Sequence, residues 1–334
     1  MIIASDLEYH HEGSSDYSWA ETYYLPISIP EERLFAHVYV VTRPVLGSMA
    51  NDIRVHGCVS NTEFELLHLD TQFHLPAPER FSHIKSSNGL EVVAVNPPRD
   101  YRVDYVGANG TEIHVDMIGI MDPFDIHDST QNPLAGKTEE EQLARSSMGS
   151  CYKGHFDMHC HTKGSLILRG KEYKVDVIDR MNHSWGPRPD TAIPPMNSTW
   201  ASFGKDLCFR FHGHLDPTKR AGEDQTFAHG YLLDKGDVYA LVDVKMTTTR
   251  LGIVPIQIQA LATDVRGNQY RLRGVPISGG PWRVYAPAIC WVGLVEWELE
   301  GQIGHGVFQD NHSLPIEAEL RGRRWNDPIP ALTG

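Results

Sequence analysis

One stretch in the middle of the chain, Tyr173 to Asp190 (YKVDVIDRMNHSWGPRPD), gathers the side chain types that acid–base chemistry needs. It holds an acid (Asp179), an amide (Asn182), an imidazole (His183), an indole (Trp185) and two guanidiniums (Arg180, Arg188). If a strand runs through it, Val177, Asp179, Met181, His183 and Trp185 share one face, while Ile178, Arg180, Asn182 and Ser184 share the other. A carboxyl group in an apolar pocket has its pKa raised, because desolvation disfavours the anion. Asp179 is therefore a candidate general acid. His183, with an ordinary pKa of about 6.5, is a candidate base or relay. Arg188 suits a carboxylate, phenolate or carbonyl oxygen, and Trp185 and Trp200 offer π faces to a developing carbocation. Asn182 and Tyr231 complete the candidate substrate contacts, although Tyr231, on a strand, also reads as a packing residue. Such groups suit addition, elimination or isomerisation at an activated C=C or C–O bond, or retro-aldol or deformylation chemistry on a phenol. The same residues also fit a hydrogen-bonded connector between two domains, with Trp185 as a core plug, since a buried Asp or His needs a partner.

A rival chemistry is metal binding. His159 and His161 lie two apart, as do His212 and His214, with Glu223 and His229 following. An HxH pair with a later carboxylate is how some β-barrels hold iron or zinc. Chance HxH pairs are common in a chain with 18 histidines, and the expectation here is no metal and no organic cofactor. Ser184 sits in no Gly-x-Ser-x-Gly frame, and no phosphate-binding glycine loop is visible.

The elements that must position these residues are strands. Apolar–polar alternation and β-branched runs recur from Leu34 to Leu299, punctuated by Asn88-Gly89, Asn109-Gly110, Lys163-Gly164, Arg169-Gly170, Lys235-Gly236 and Arg266-Gly267, all read as turns. Ser14 to Pro30, rich in aromatics, reads as a strand or extended arm. Residues 122–149 break the rhythm with a Pro/Asp-rich loop; Thr138 followed by Glu141 is a capping box that starts a short helix. A long irregular insert in a β domain is often a lid or simply a surface loop. So many short strands with one weak helix predict an all-β protein of two consecutive antiparallel barrels. The boundary is set near Ile193-Pro194-Pro195, dividing residues 1–192, with the insert, from 193–334.

Three segments carry a family resemblance: WAETYY (Trp19 to Tyr24), Gly154 to Arg188 with His183-Ser184-Trp185-Gly186-Pro187-Arg188 as its most specific part, and GHGVFQDNH (Gly304 to His312). They resemble proteins related to carotenoid 1,2-hydratases (hydroxyneurosporene synthases), in a double-calycin superfamily with the lipocalin-like Diels–Alderases. The resemblance implies two lipocalin-like barrels, a deep apolar pocket for a polyene, terpenoid, polyketide or polycyclic aromatic, and catalysis without a cofactor. It carries His183, Trp185 and Arg188 over as site positions. Two positions depart from the pattern: Asn182 and Gln309 stand where acids are expected, and an amide cannot deliver a proton to an alkene. Hydration by the family route therefore needs another acid, such as Asp179.

Composition sets outer bounds. A formal charge of −13 argues against a nucleic-acid or anionic-membrane partner, since those need a basic face. No apolar run is long enough for a transmembrane helix, and the first residues do not form a signal peptide, so a cytoplasmic protein is expected. The five cysteines lack CxxC spacing and read as free thiols. A homodimer is possible on these features but nothing specifies one. The reading is thus a cofactor-independent lyase, hydratase or isomerase of a hydrophobic small molecule, with a non-catalytic ligand binder or a metal-dependent enzyme as alternatives.

Overall fold

The computed structural model describes residues 1–326. Eleven strands form a first sheet: β1 (Trp19–Ile29), β2 (Leu34–Arg43), β3 (Ser48–His56), β4 (His68–Pro76), β5 (His83–Lys85), β6 (Leu90–Asn96), β7 (Asp100–Val106), β8 (Glu112–Gly119), β9 (Phe124–Asp125), β10 (Gly154–Leu168) and β11 (Lys171–Pro187). Helix α1 (Glu139–Arg145) lies in the insert. Eight further strands follow: β12 (Met196–Ser202), β13 (Leu207–Leu215), β14 (Gln225–Asp234), β15 (Asp237–Leu251), β16 (Val254–Asp264), β17 (Gln269–Tyr285), β18 (Ala288–Leu299) and β19 (Gln302–Ser313), then helix α2 (Leu314–Asn326). None of the helices among the described residues is long and apolar enough to cross a membrane.

The second sheet closes: β12 pairs with both β13 and β19, giving an eight-stranded antiparallel barrel. Closure depends on glycine. A Cβ on Gly306 would lie 2.0 Å from the Trp200 carbonyl oxygen, and one on Gly304 2.4 Å from the Ser202 oxygen. The Gly304–His312 signature thus marks where the last strand meets the first. The barrel interior is filled by Phe209, Phe211, Trp291, Trp297 and Phe308, so the apolar hollow expected there is occupied by side chains, as in other small barrels.

The first sheet runs in the order β4-β3-β2-β1-β11-β10-β8-β7-β6-β5 and curls without a ladder between its end strands among the described residues. Side chains seal that seam. Asn88 Nδ2 donates to Asp70 Oδ2 at 3.0 Å and to Asn51 Oδ1 at 3.0 Å, and the Tyr105 hydroxyl donates to Asp70 Oδ2 at 2.9 Å. Its interior holds Tyr23, Leu25, Ile53, Val103, Met158 and Met181. A third cluster, Tyr24, Phe35, Tyr39, Trp200, Trp282 and Val292, glues the two sheets together. Period-2 alternation sends neighbouring residues of one strand to different cores: Trp291 enters the barrel, whereas Cys290 and Val292 face the first sheet.

Two sequence expectations need comment. The turn expected at Lys163-Gly164 is absent: β10 runs straight through, because Gly164, at φ +145°, lets the backbone pass a position where a Cβ would stand 1.9 Å from the His114 oxygen. Thr138 caps the helix as expected, its Oγ1 accepting from Glu141 N–H at 3.3 Å, but the box is not reciprocal: Glu141 Oε2 accepts from Lys137 N–H at 2.8 Å rather than from Thr138.

Replacing Gly306 by Ala should lower the melting temperature by roughly 3–10 °C, the effect of about 1–3 kcal/mol of overpacking against a backbone atom that cannot swing away. Gly322→Ala, which has open space, should not lower it. Thermal denaturation of the two variants checks this.

Candidate functional site

Strand β11 is buried on both faces over its second half, and each face meets a different environment. Met181 and His183 point into the first sheet's interior. Arg180, Asn182 and Ser184 point toward the barrel. At this junction lies a small cavity of about 50 Å³, lined among others by Tyr24, Tyr39, Tyr152, Asn182, Ser184, Arg188, Tyr285 and Gln309. Met148 and Tyr152, at the end of the 122–149 insert and just beyond it, form part of its wall.

Arg188 is the charged group of that wall. It is 2 % exposed, and its Nη2 donates to Ser184 Oγ at 3.0 Å. Its other contacts are the Gly186 and Pro187 carbonyls, each at 3.5 Å, and the Tyr152 ring 5.5 Å away. No carboxylate pairs with it among the described residues. The Tyr39 and Tyr285 hydroxyls share a short hydrogen bond across the cavity. Burial pushes the Tyr39 and Tyr152 phenols up, so both stay neutral at physiological pH. A guanidinium remains charged, which leaves the cavity with one unbalanced positive charge.

Beside it lies a second buried cluster that sequence reasoning missed. Asp157 on β10 accepts from Arg180 Nη1 and from His155 Nε2 at 3.0 Å, and it ion-pairs with Arg210, whose Nε lies 3.1 Å away, with His212 Nε2 at 3.7 Å. Arg210 Nη2 also touches His212 Nε2. Arg180 lies 4.4 Å over the Trp200 ring. With the Asn182 amide assigned so that its oxygen faces Arg180, that oxygen accepts from Nη1 at 2.9 Å. Burial, reinforced by the neighbouring arginines, pushes His155 and His212 well below their ordinary range, and burial with His155 and Arg210 does so for His229, so all three are neutral. One carboxylate thus faces two guanidiniums. His155, Asp157 and His212 are close enough to chelate a cation, but both carboxylate oxygens are already engaged and two arginines would repel a dication, so this cluster is ionic rather than metal-binding.

The sequence candidates separate in space. Arg188 and Asn182 reach the cavity. Trp200 is fully buried between the sheets against Arg180. Tyr231 is fully buried and bonded through its hydroxyl to His159 Nδ1 at 2.9 Å. Asp179 does not line the cavity; its carboxylate accepts from Ser28 N–H at 2.8 Å and from Ser28 Oγ at 3.2 Å, where β1 has parted from β11. Burial pushes it up to about 6 against those two bonds. His183 turns the other way, with Nδ1 donating to the Thr22 carbonyl at 3.1 Å and Nε2 3.7 Å from Glu21 Oε2; Trp185 packs against it and stacks on His10 at 3.8 Å. Neither HxH pair shares one environment. His159 and His212 are buried, while His161 pairs with Asp176 near the surface and His214 is half-buried. Glu223 is exposed.

A closed barrel beside a curled antiparallel sheet, joined face to face, is the lipocalin-like double-calycin architecture, and the chain has that fold. Within it, residues 4–314 match the family described as a domain of unknown function, DUF7064, and the chain belongs to that family. No curated protein matches it. Among solved structures it is similar to an AttH-like protein, NE1406, of Nitrosomonas europaea, with 13% identity over 92% of this chain and 95% of that one and a TM-score of 0.56. It is also similar to CghA solved with Sch210972, with 10% identity over 89% of each chain and a TM-score of 0.54. At such identities the likeness establishes the fold.

Asp179 yields a test with a definite sign. Its folded pKa of about 6 lies above the ordinary 3.8, so it favours folding only when protonated; that contribution is complete below about pH 4 and gone above about pH 6. Asp179→Asn, fixed neutral, should match the parent near pH 4 and exceed its stability at pH 7–8. Melting curves of both proteins across that range decide it; a gap that narrows as pH rises would contradict the assignment.

Proposed function

We propose that this protein is an enzyme that binds a small, largely hydrophobic molecule bearing an anionic group at the junction of its two sheets. The reaction proposed is acid–base chemistry of the hydratase, lyase or isomerase kind. The observation that carries this reading is Arg188, a fully buried cation on a cavity wall with only neutral partners. A buried unpaired charge is costly, and a carboxylate, phenolate or enolate on the ligand would relieve that cost through a bidentate contact. Asn182, Gln309 and Asn311 on the same wall supply donors and acceptors for uncharged oxygens, and Tyr24, Met148, Met196 and Trp282 supply apolar contact.

With the head group on Arg188, a conjugated C=C beside it would lie against the Tyr39–Tyr285 hydroxyl pair. One hydroxyl would deliver its proton to carbon and be reprotonated across the shared hydrogen bond by the other, which in turn takes a proton from an attacking water, or from the neighbouring carbon in an isomerisation. Arg188 would stabilise the enolate-like charge that develops on the head group. Asp179 and His183 enter this scheme as residues that hold β1 and β11 in place rather than as groups on the reacting atoms. CghA, of the same fold, has been solved with the small molecule Sch210972, which supports ligand binding on this architecture.

The cavity of about 50 Å³ accommodates a water molecule or two, against roughly 300–1,000 Å³ for a ligand pocket. Binding therefore requires that its wall move, and Met148 and Tyr152, carried by the 122–149 insert and its exit, are the proposed moving part.

A panel of aryl and alkenyl carboxylates, each with its neutral methyl ester, tests the reading by thermal shift. The acids should raise the melting temperature and the esters should not, and Arg188→Gln should abolish the difference. Incubation of the best acid in D₂O should place deuterium on carbon. Equal shifts from acid and ester would remove the anionic-substrate reading, and an unchanged ligand without deuterium would favour a binder.

A further inference from the structure

We infer that His10, Glu21 and His183 form a binding site for a divalent transition-metal ion, on the face of β11 opposite the junction cavity. The argument begins with the ladder. Glu21 on β1 stands opposite Trp185 and Tyr23 opposite His183, so Glu21 and His183 are diagonal neighbours across the β1–β11 pair. The N-terminal segment adds His10, whose ring lies flat on Trp185 with 1° between the planes.

The donor atoms converge. His10 Nδ1 is 3.2 Å and His183 Nε2 is 3.7 Å from the same oxygen, Glu21 Oε2, and all three donors lie within 4.8 Å of one another. Ligands at about 2.0–2.2 Å from a tetrahedral ion stand roughly 3.3–3.6 Å apart, and the two measured separations bracket that range.

The hydrogen-bond pattern is that of ligands prepared for an ion. His183 Nδ1 faces the Thr22 carbonyl at 3.1 Å and must carry the hydrogen. In the neutral ring this leaves Nε2 as a bare lone pair, which has no hydrogen-bond partner and is fully buried. That lone pair looks at a carboxylate oxygen. Two acceptors pressed together without a proton between them repel, and a cation between them reverses the sign of the interaction. The other carboxylate oxygen is already occupied: Glu21 Oε1 accepts from His10 N–H at 2.8 Å and from Trp19 Nε1 at 3.0 Å. A histidine that donates its second nitrogen to a backbone carbonyl, beside a carboxylate fixed through its spare oxygen, is the outer-shell arrangement that orients metal ligands.

Two imidazoles and one carboxylate suit zinc or ferrous iron rather than calcium or magnesium, which take oxygen ligands. Three protein ligands leave a position for water, and His10, partly exposed, gives a route of entry. The ion would fasten the N-terminal segment to both central strands of the first sheet. This site is independent of the junction cavity, so either can fail alone.

The test uses the full chain, stripped with chelator and titrated with Zn²⁺ by calorimetry and with Co²⁺ by visible absorption. One ion per chain at micromolar affinity or tighter, d–d bands from cobalt and a rise in melting temperature are expected. Glu21→Gln and His10→Ala should each weaken binding at least 100-fold, while the surface variant His161→Ala should bind as the parent does. His10 is partly exposed, so His10→Ala decides the matter even if Glu21→Gln does not fold. Absence of stoichiometric binding, or affinity unchanged in His10→Ala, overturns the proposal.

Discussion

The two halves of this molecule meet through a buried excess of positive charge. Asp157 is the carboxylate shared by Arg180, from the first sheet, and Arg210, from the barrel. Removing one partner of a buried ion pair typically costs about 3–5 kcal/mol, because the survivor is left uncompensated in low dielectric. Here one anion serves two cations, and Arg188 nearby has none. Such an arrangement is poor as pure stabilisation; apolar residues of similar volume often do as well or better. Its value lies in fixing how the sheets face each other and in leaving a field that favours an anion at the junction cavity.

That field follows from burial of titratable neighbours in their neutral forms. His155, His212 and His229 would add charge if protonated, and desolvation prevents it. Tyr39 and Tyr152 would remove charge if ionised, and desolvation prevents that too. The arginines remain as the fixed charges. The chain as a whole is strongly acidic, so the local positive potential at the junction runs against the overall balance and cannot be inferred from composition.

Much of the fold could be read from the chain because its signals are local. The Asn88-Gly89 and Asn109-Gly110 turns and the Thr138 cap each depend on a few neighbouring residues, and each is where the pattern places it. The resemblance pointed to Arg188, and it lines the junction cavity. The surroundings of Asp179 and His183 could not be read from the chain. Alternation says that they share a face of β11, but both faces of this strand are buried, so the pattern does not say which one meets a ligand. The partners that decide their environments, Ser28, Glu21 and His10, lie more than 150 residues away in sequence. Tyr39 and Tyr285, 246 residues apart, could be joined only by the fold. Asp157 sat inside the motif GHFDMHCH, where the eye goes to the histidines. The stronger clue was the buried acid that two separated arginines would need.

The contrast between the two sheets bears on how each can deform. A barrel closed by a continuous ladder has a fixed girth, since widening it means breaking a row of backbone hydrogen bonds together. The first sheet is fastened along its seam by Asn51, Asn88, Asp70 and Tyr105, contacts that part and re-form one at a time and that water can replace. Its circumference is therefore the adjustable one, while the barrel serves as the rigid anvil.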